Sequence, residues 1–221
     1  MLCPESSMAP QPVAVSCRCA QAGSGAGLAL ELRPACTAAV LCCGPVVPGW
    51  TDARSRQLAR QTARLLAGSG CPLPRELHRR LCALLREALP GQAACRALAL
   101  GQQGGTLLGA VLTRDGRSFC LHCGAGTILF QNEGEHFCKA AALPVNRTRR
   151  LRDESLEGQL SVICFSAPVR RILLLDPRLS AAYQDFQDGR AYGVCLPDSV
   201  EQLARPAAGA GCIQLLRAPP G

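Results

Sequence analysis

Lysine is nearly absent from this chain: Lys139 is the only one, so the net charge of +8 is carried by arginine. Aromatic side chains are also scarce, at 4% of residues. The core must therefore come from Leu, Val, Ala, Ile and Cys, and the densest basic cluster (Arg147, Arg149, Arg150, Arg152) has no interleaved rings on which bases could stack. Histidine occurs only at His78, His122 and His136, and no Ser/His/Asp arrangement stands out among them. Neither GxGxxG nor GKS/T is present, and no Cys-x5-Arg segment has the glycine-rich strand–loop–helix setting of a cysteine phosphatase. No apolar run reaches the length of a bilayer span, so no membrane partner is expected. The N-terminal segment has no positive region ahead of an apolar stretch, so no signal peptide is expected and the Asn146-Arg147-Thr148 sequon reads as chance. The expected location is cytoplasmic, with the nucleus as a second compartment.

What is present is a globular composition: 221 residues, 48% apolar and 18% charged. One domain is expected over residues 13–218, after a flexible segment 1–12. Ala, Gly, Pro and Arg dominate, which points to a GC-rich gene such as that of a large DNA virus or a vertebrate locus. Dispersed arginine then serves to solvate helix faces, and no specific nucleic-acid partner is expected. Fifteen cysteines is a high and odd number, but a disulfide scaffold belongs to short secreted chains and this chain is neither short nor evidently secreted. Cys42, Cys164 and Cys195 sit inside apolar runs and are expected to be buried, reduced and unpaired.

The segment Cys120-Leu-His-Cys123, with His136 and Cys138 downstream, invites a zinc reading. Its setting argues otherwise. SFCLHCG alternates as a strand, and side chains three apart on a strand point to opposite faces. Without a turn, Cys120 and Cys123 cannot converge on one ion.

Strands are predicted at 13–19, 26–32, 36–43, 106–113, 117–123, 126–131, 135–138, 159–165, 171–175, 190–195 and 212–217. Amphipathic helices are predicted at 51–67 and 74–89, and a short one at 198–204. Thr51 is the N-cap of the first, and Leu58, Thr62, Leu65 and Leu66 form its apolar face. Leu77, Leu81, Leu84, Leu85 and Ala88 form the stripe of the second, while His78, beside an arginine pair, is expected in solvent. Residues after Gly91 read as a glycine-rich link, and Arg114-Asp115-Gly116 as a hairpin turn.

The order of strand, paired helices and strand hairpin, with GGTLLGAVLTRDGRSFCLHCGAGTILFQ over 104–131, resembles the metal-dependent PPM-type (protein phosphatase 2C) serine/threonine phosphatases. TAAVLCCG (37–44) is similar to the family's strand ending in Asp-Gly, and LEGQLSVICF (156–165) to its G-x-L-x-V stretch. Gln187-Asp188-Gly189 is similar to its S-D-G-x-W stretch, and GAGCIQLL (209–216) falls where it has G-S-x-D-N and a closing strand. The resemblance implies an α/β (α+β) sandwich of two mostly antiparallel sheets flanked by paired antiparallel helices. It also implies a pair of Mg²⁺ or Mn²⁺ ions held by carboxylates. The implied ligand positions here read Cys43-Gly44, Ala125 and Gly211-Cys212, with Asp188 as the single acid. The arginine that meets substrate phosphate has Arg18 or Arg33 as its counterpart.

The expected function on these grounds is that of a pseudophosphatase. It would be no enzyme, with no catalytic, cofactor or metal residues, and would act as a regulatory adaptor for a protein partner in a kinase or innate signalling complex, of host or viral origin. The alternative is a viral accessory or tegument-type interaction protein. GRSFCLHCGAGTILFQNEGEHF and GRAYGVCLPDSVEQLA also resemble the repeated module of herpesviral US22-type proteins. A structural repeat between 100–145 and 160–216 would favour that alternative; one two-sheet sandwich would favour the first reading.

Overall fold

A computed structural model describes residues 13–18, 26–44, 48–69, 73–101, 104–132, 137–140, 155–183, 202 and 210–217. Among these, β1 (Val13–Arg18), β2 (Ala26–Leu32) and β3 (Cys36–Cys43) come first, followed by helices α1 (Asp52–Gly68), α2 (Pro74–Ala88) and α3 (Gln92–Ala99). Strands β4 (Thr106–Thr113), β5 (Ser118–Gly124), β6 (Thr127–Gln131) and β7 (Phe137–Lys139) follow. The short α4 (Leu156–Gln159), β8 (Ser161–Phe165), β9 (Arg171–Leu175), α5 (Pro177–Ala182) and β10 (Cys212–Arg217) complete the described elements.

Two five-stranded sheets form, in the orders β2-β3-β4-β5-β8 and β1-β10-β9-β6-β7, and every pairing is antiparallel. Strict alternation distributes the apolar side chains. In the first sheet Ala39, Leu41, Leu108, Ala110, Leu112 and Cys120 face the second sheet, where Ile128, Ile172, Leu174, Ile213 and Leu215 meet them. The intervening residues Ala38, Val40, Cys42, Leu107, Val111, Phe119, Leu121 and Cys123 face the helix layer. Leu129, Leu173, Leu175 and Cys212, on the outer face of the second sheet, pack with Leu179 and Tyr183 of the α5 region. The sandwich and its helix cover are those the sequence leads one to expect. Residues 100–145 and 160–216 form no repeat among the described residues. The first stretch supplies two strands to each sheet, the second one strand to the first sheet and two to the other.

Helix α1 lies on β2 and β3, and α2 beside it reaches β8. Thr51 caps α1, its hydroxyl accepting from the Arg54 N–H at 3.3 Å. Ser55, Leu58, Ala59, Thr62, Ala63 and Leu66 are its buried face, and complete burial of a leucine such as Leu58 contributes about 2 kcal/mol. Gly27 on β2 permits this close approach, since a Cβ there would run into the backbone of Ser55. In α2 the buried residues are Leu77, Leu81, Cys82 and Leu85. Leu65, Leu84 and Ala88, expected in the core, are only half-buried.

Several expectations are corrected. The link after Gly91 is a helix, α3, whose Ala94, Ala97 and Leu98 are buried. Helical turns α4 and α5 precede β8 and follow β9. His78 is not in solvent: it is half-buried, with Nε2 3.1 Å from the Glu157 carbonyl oxygen. Cys42 is buried as expected, but Cys164 is exposed, because β8 is a sheet edge whose helix cover includes Val162 and not Cys164. Cys195, the strand at 190–195 and the helix at 198–204 lie outside the described residues, as does segment 1–12. No helix of the described residues is long and apolar enough to cross a membrane.

Candidate functional site

Sheet register brings the ends of several strands to one end of the sandwich. In the first sheet Cys43 pairs with Thr106, and Thr106 with Gly124. In the second, Thr127, Leu175, Cys212 and Arg18 stand in one row. Arg33, by contrast, lies in the β2–β3 turn at the far end of β3, exposed and ion-paired to Glu31 at 2.7 Å. Of the two candidate phosphate-facing arginines, only the backbone of Arg18 belongs to this end, where the resemblance places the family's cleft.

The turn between β5 and β6 is tightly fixed. Gly124 has φ of 91°, and a Cβ there would strike the Gly105 carbonyl, so glycine is required. The Ala125 N–H donates to the Gly105 carbonyl at 3.0 Å and the Gly126 N–H to the Thr106 hydroxyl at 2.5 Å. His122 Nε2 lies 2.8 Å from the Gly126 carbonyl oxygen, a contact that the protonated nitrogen satisfies. His122 thus braces the turn. Ala125 at its tip is exposed.

The carboxylate of this end is Asp176, which follows β9 directly and is buried. Its Oδ1 accepts from the N–H groups of Arg178 at 2.9 Å and Leu179 at 3.1 Å, capping α5. Its Oδ2 accepts from the Gly211 N–H at 2.7 Å, and its own N–H donates to the Gly211 carbonyl at 3.1 Å. Asp176 therefore stitches the entry to β10 onto the exit of β9. Sequence reading placed the acid at Asp188, which lies outside the described residues. The missed signal was Asp-Pro directly after the apolar run RILLL, an N-cap followed by a first-turn proline.

Cys43 stands near this carboxylate. Burial, and then the charge of Asp176, push its thiol up to about 12, with Arg178 opposing. Held protonated by its surroundings, it is a poor nucleophile, and its soft sulfur is unsuited to a hard dication. Beside it, the sole tryptophan, Trp50, packs where a Gly44 side chain would sit, and its indole N–H donates to the Ser55 hydroxyl at 2.8 Å.

The zinc reading of the cysteines meets the sheet geometry directly. Cys120 is buried between the sheets and Cys123 beneath the helices, on opposite faces of β5. Burial pushes the Cys123 thiol up to about 12 and the Cys120 thiol higher still. His136 lies outside the described residues, and so does the side chain of Cys138. No group of three or more His, Cys, Asp or Glu placed to hold a metal occurs among the described residues.

No known family's sequence profile and no curated protein matches this chain. Its fold does match solved structures. A bacterial serine phosphatase superposes with a TM-score of 0.56 at 11% identity, covering 95% of this chain and 99% of that one. The serine/threonine phosphatase PstP/Ppp of Mycobacterium tuberculosis gives 0.52 at 14% identity, covering 93% and 97%. RsbX, solved in complex with magnesium, gives 0.50 at 9% identity, covering 93% and 94%. The architecture is that of the PPM-type (PP2C-like) serine/threonine phosphatases.

These matches correct one expectation. The chain was expected not to be an enzyme, but the structures that share its fold are phosphatases, so the fold is one that carries catalysis. The donor set at the cleft end is a separate matter. Hard dications need several anionic oxygens. Cys43 offers a soft sulfur, Ala125 a methyl group, and Asp176 a single carboxylate already engaged by three backbone N–H groups. These residues do not fit a pair of Mg²⁺ or Mn²⁺ ions.

Proposed function

We propose that this chain is a phosphatase-like regulatory protein that works by binding a protein partner. It would be built as one domain over residues 13–218 and act as an adaptor in a cytoplasmic signalling assembly. The observation that carries the reading is the commitment of Asp176. The buried Asp176 carboxylate is held by the backbone N–H groups of Arg178, Leu179 and Gly211, so it serves the fold as a clamp. The surrounding rigid, glycine-tight turn supports the use of this architecture as a scaffold.

A second reading, phosphatase turnover at the same end, is favoured by a different observation: the structures sharing this fold are serine phosphatases, and Asp176 stands beside Cys43 at the cleft. One pair of experiments separates the two. Hydrolysis of an aryl phosphate and of a phosphothreonine peptide is measured at millimolar Mn²⁺ for the parent chain and for Asp176→Asn, with circular dichroism to confirm that the variant is folded. In parallel, a partner recovered by native affinity purification is reconstituted with the chain from purified components. A stoichiometric complex supports the binding function. Failure to form any complex, with Mn²⁺-dependent turnover abolished in folded Asp176→Asn, overturns it in favour of the enzyme.

A further inference from the structure

The helix layer carries a groove that the sandwich does not use. Residues of α1 and α2 line a cavity of about 910 Å³. Its apolar floor includes Leu65, Leu84 and Ala88, each half-buried although the helical periodicity assigns all three to the core. Arg54, Arg64 and Arg80 line it and are exposed, with Glu87 as its single acid. None of these arginines makes an ion pair among the described residues, whereas Arg79 pairs with Glu76 and Arg86 with Glu157. Together α1 and α2 hold eight arginines against three acids, Asp52, Glu76 and Glu87.

We infer that the α1–α2 groove docks an acidic amphipathic helix of a partner protein. The inference rests on the binding function proposed above and names the surface and the chemistry. An apolar stripe spaced at three and four residues would lie on Leu65, Leu84 and Ala88, displacing water from half-exposed carbon. Carboxylates flanking that stripe would reach Arg54 and Arg64, which stand about 15 Å apart along α1 at the helical rise, and Arg80 across the groove. The charge favours this occupant over a neutral helix, because three unpaired guanidinium groups against one carboxylate both steer and orient an acidic ligand. The floor favours it over nucleic acid. A phosphate track needs no apolar floor, and no aromatic residue lines the groove for base stacking.

The test uses the full chain and a labelled synthetic peptide, a 20-residue helix with leucines on one stripe and glutamates flanking it, read by fluorescence anisotropy. Controls are a shuffled peptide of the same composition and a single-stranded oligothymidylate of equal charge. The patterned peptide is expected to bind, with an affinity that falls with salt, and the shuffled peptide to bind about tenfold or more weakly, having lost the stripe. The triple variant Arg54→Glu, Arg64→Glu, Arg80→Glu is expected to weaken binding by about tenfold or more, since attraction becomes repulsion at each position. The double variant Arg56→Glu, Arg60→Glu, on the same helix but outside the groove, is expected to leave affinity unchanged, and thermal melting checks that both variants are folded. The inference is overturned if the patterned peptide does not bind, if the shuffled peptide binds equally, if both variants weaken binding alike, or if the oligonucleotide binds more tightly with the same dependence on the three arginines. It is also overturned if a native complex reconstituted as above survives the triple variant intact, and in that case the binding function itself stands.

Discussion

Two aspartates at opposite ends of the sandwich do contrasting work. Asp176, at the cleft end, is buried and holds only backbone N–H groups, joining α5, β9 and the start of β10. Asp115, in the β4–β5 hairpin, is half in solvent and holds chiefly side chains: Arg117 reaches it through Nε at 2.8 Å and the Thr113 hydroxyl donates to it at 2.5 Å, with the Arg117 backbone N–H at 3.3 Å. Both are satisfied acids in turns, yet their energetic weights differ greatly. Removing a buried acceptor strands donors that water cannot reach, whereas removing an exposed one hands its donors to solvent. Behind the exposed end lies a buried cation, Arg217. It donates through Nη1 to the Thr113 carbonyl of one sheet at 2.9 Å and through Nε to the Val169 carbonyl beside the other at 3.3 Å.

The largest effect is expected from Asp176→Ala. With its acceptors gone, the N–H groups of Arg178, Leu179 and Gly211 lose a charged partner, and the cost should be about 3–4 kcal/mol in urea unfolding. A loss below 1 kcal/mol would mean that the clamp is dispensable and the acid is held for another purpose. Arg217→Met comes next. Burial already lowers the pKa of this guanidinium, with the Asp115 charge opposing, so part of the loss is offset by no longer burying a charge. The two carbonyls it serves are left without it, and a net destabilisation of about 2 kcal/mol is expected by the same measurement.

The smallest effect belongs to Asp115→Asn and is best seen through pH. Hydrogen bonds from Arg117 and then Thr113 hold the Asp115 carboxyl at about 2, below its usual 3.8. A folded-state value depressed in this way contributes stability that is present above the unfolded value and lost as pH falls through the folded one. The parent chain should therefore lose more stability than the variant between about pH 4 and pH 2. The difference should be only a few tenths of a kcal/mol, roughly, because the pair is half-exposed and screened. Identical acid-unfolding curves for the two proteins would remove Asp115 from the account.

The sandwich was legible because alternation and burial agree in its strands: Ala39 and Leu41 turn one way, Ala38 and Val40 the other, over a run long enough to leave no ambiguity. Helices α1 and α2 were legible for the same reason at a different period. The helix α3 was not, since QAACRALA is short and starts after Gly91 without a side-chain cap. Cys164 was misplaced because an apolar strand pattern does not reveal that the strand is an edge. At the site, the resemblance fixed which strand ends converge, but the acid was sought in an Asp-Gly pair. Asp188 lies outside the described residues, and the acid found at this end, Asp176, is followed by Pro177 and so carries no Asp-Gly signal.

The packing of Trp50 against Gly44 has a practical side. With a single indole in the chain, seated at the junction of β3 and α1 and tied to Ser55, the protein carries its own optical reporter of the cleft end. Its emission would register any rearrangement at Gly44 without a label. Because Ser55 belongs to the same helix whose Arg54 lines the outer groove, one spectrum would show whether occupation of that groove is felt at the β3–α1 junction.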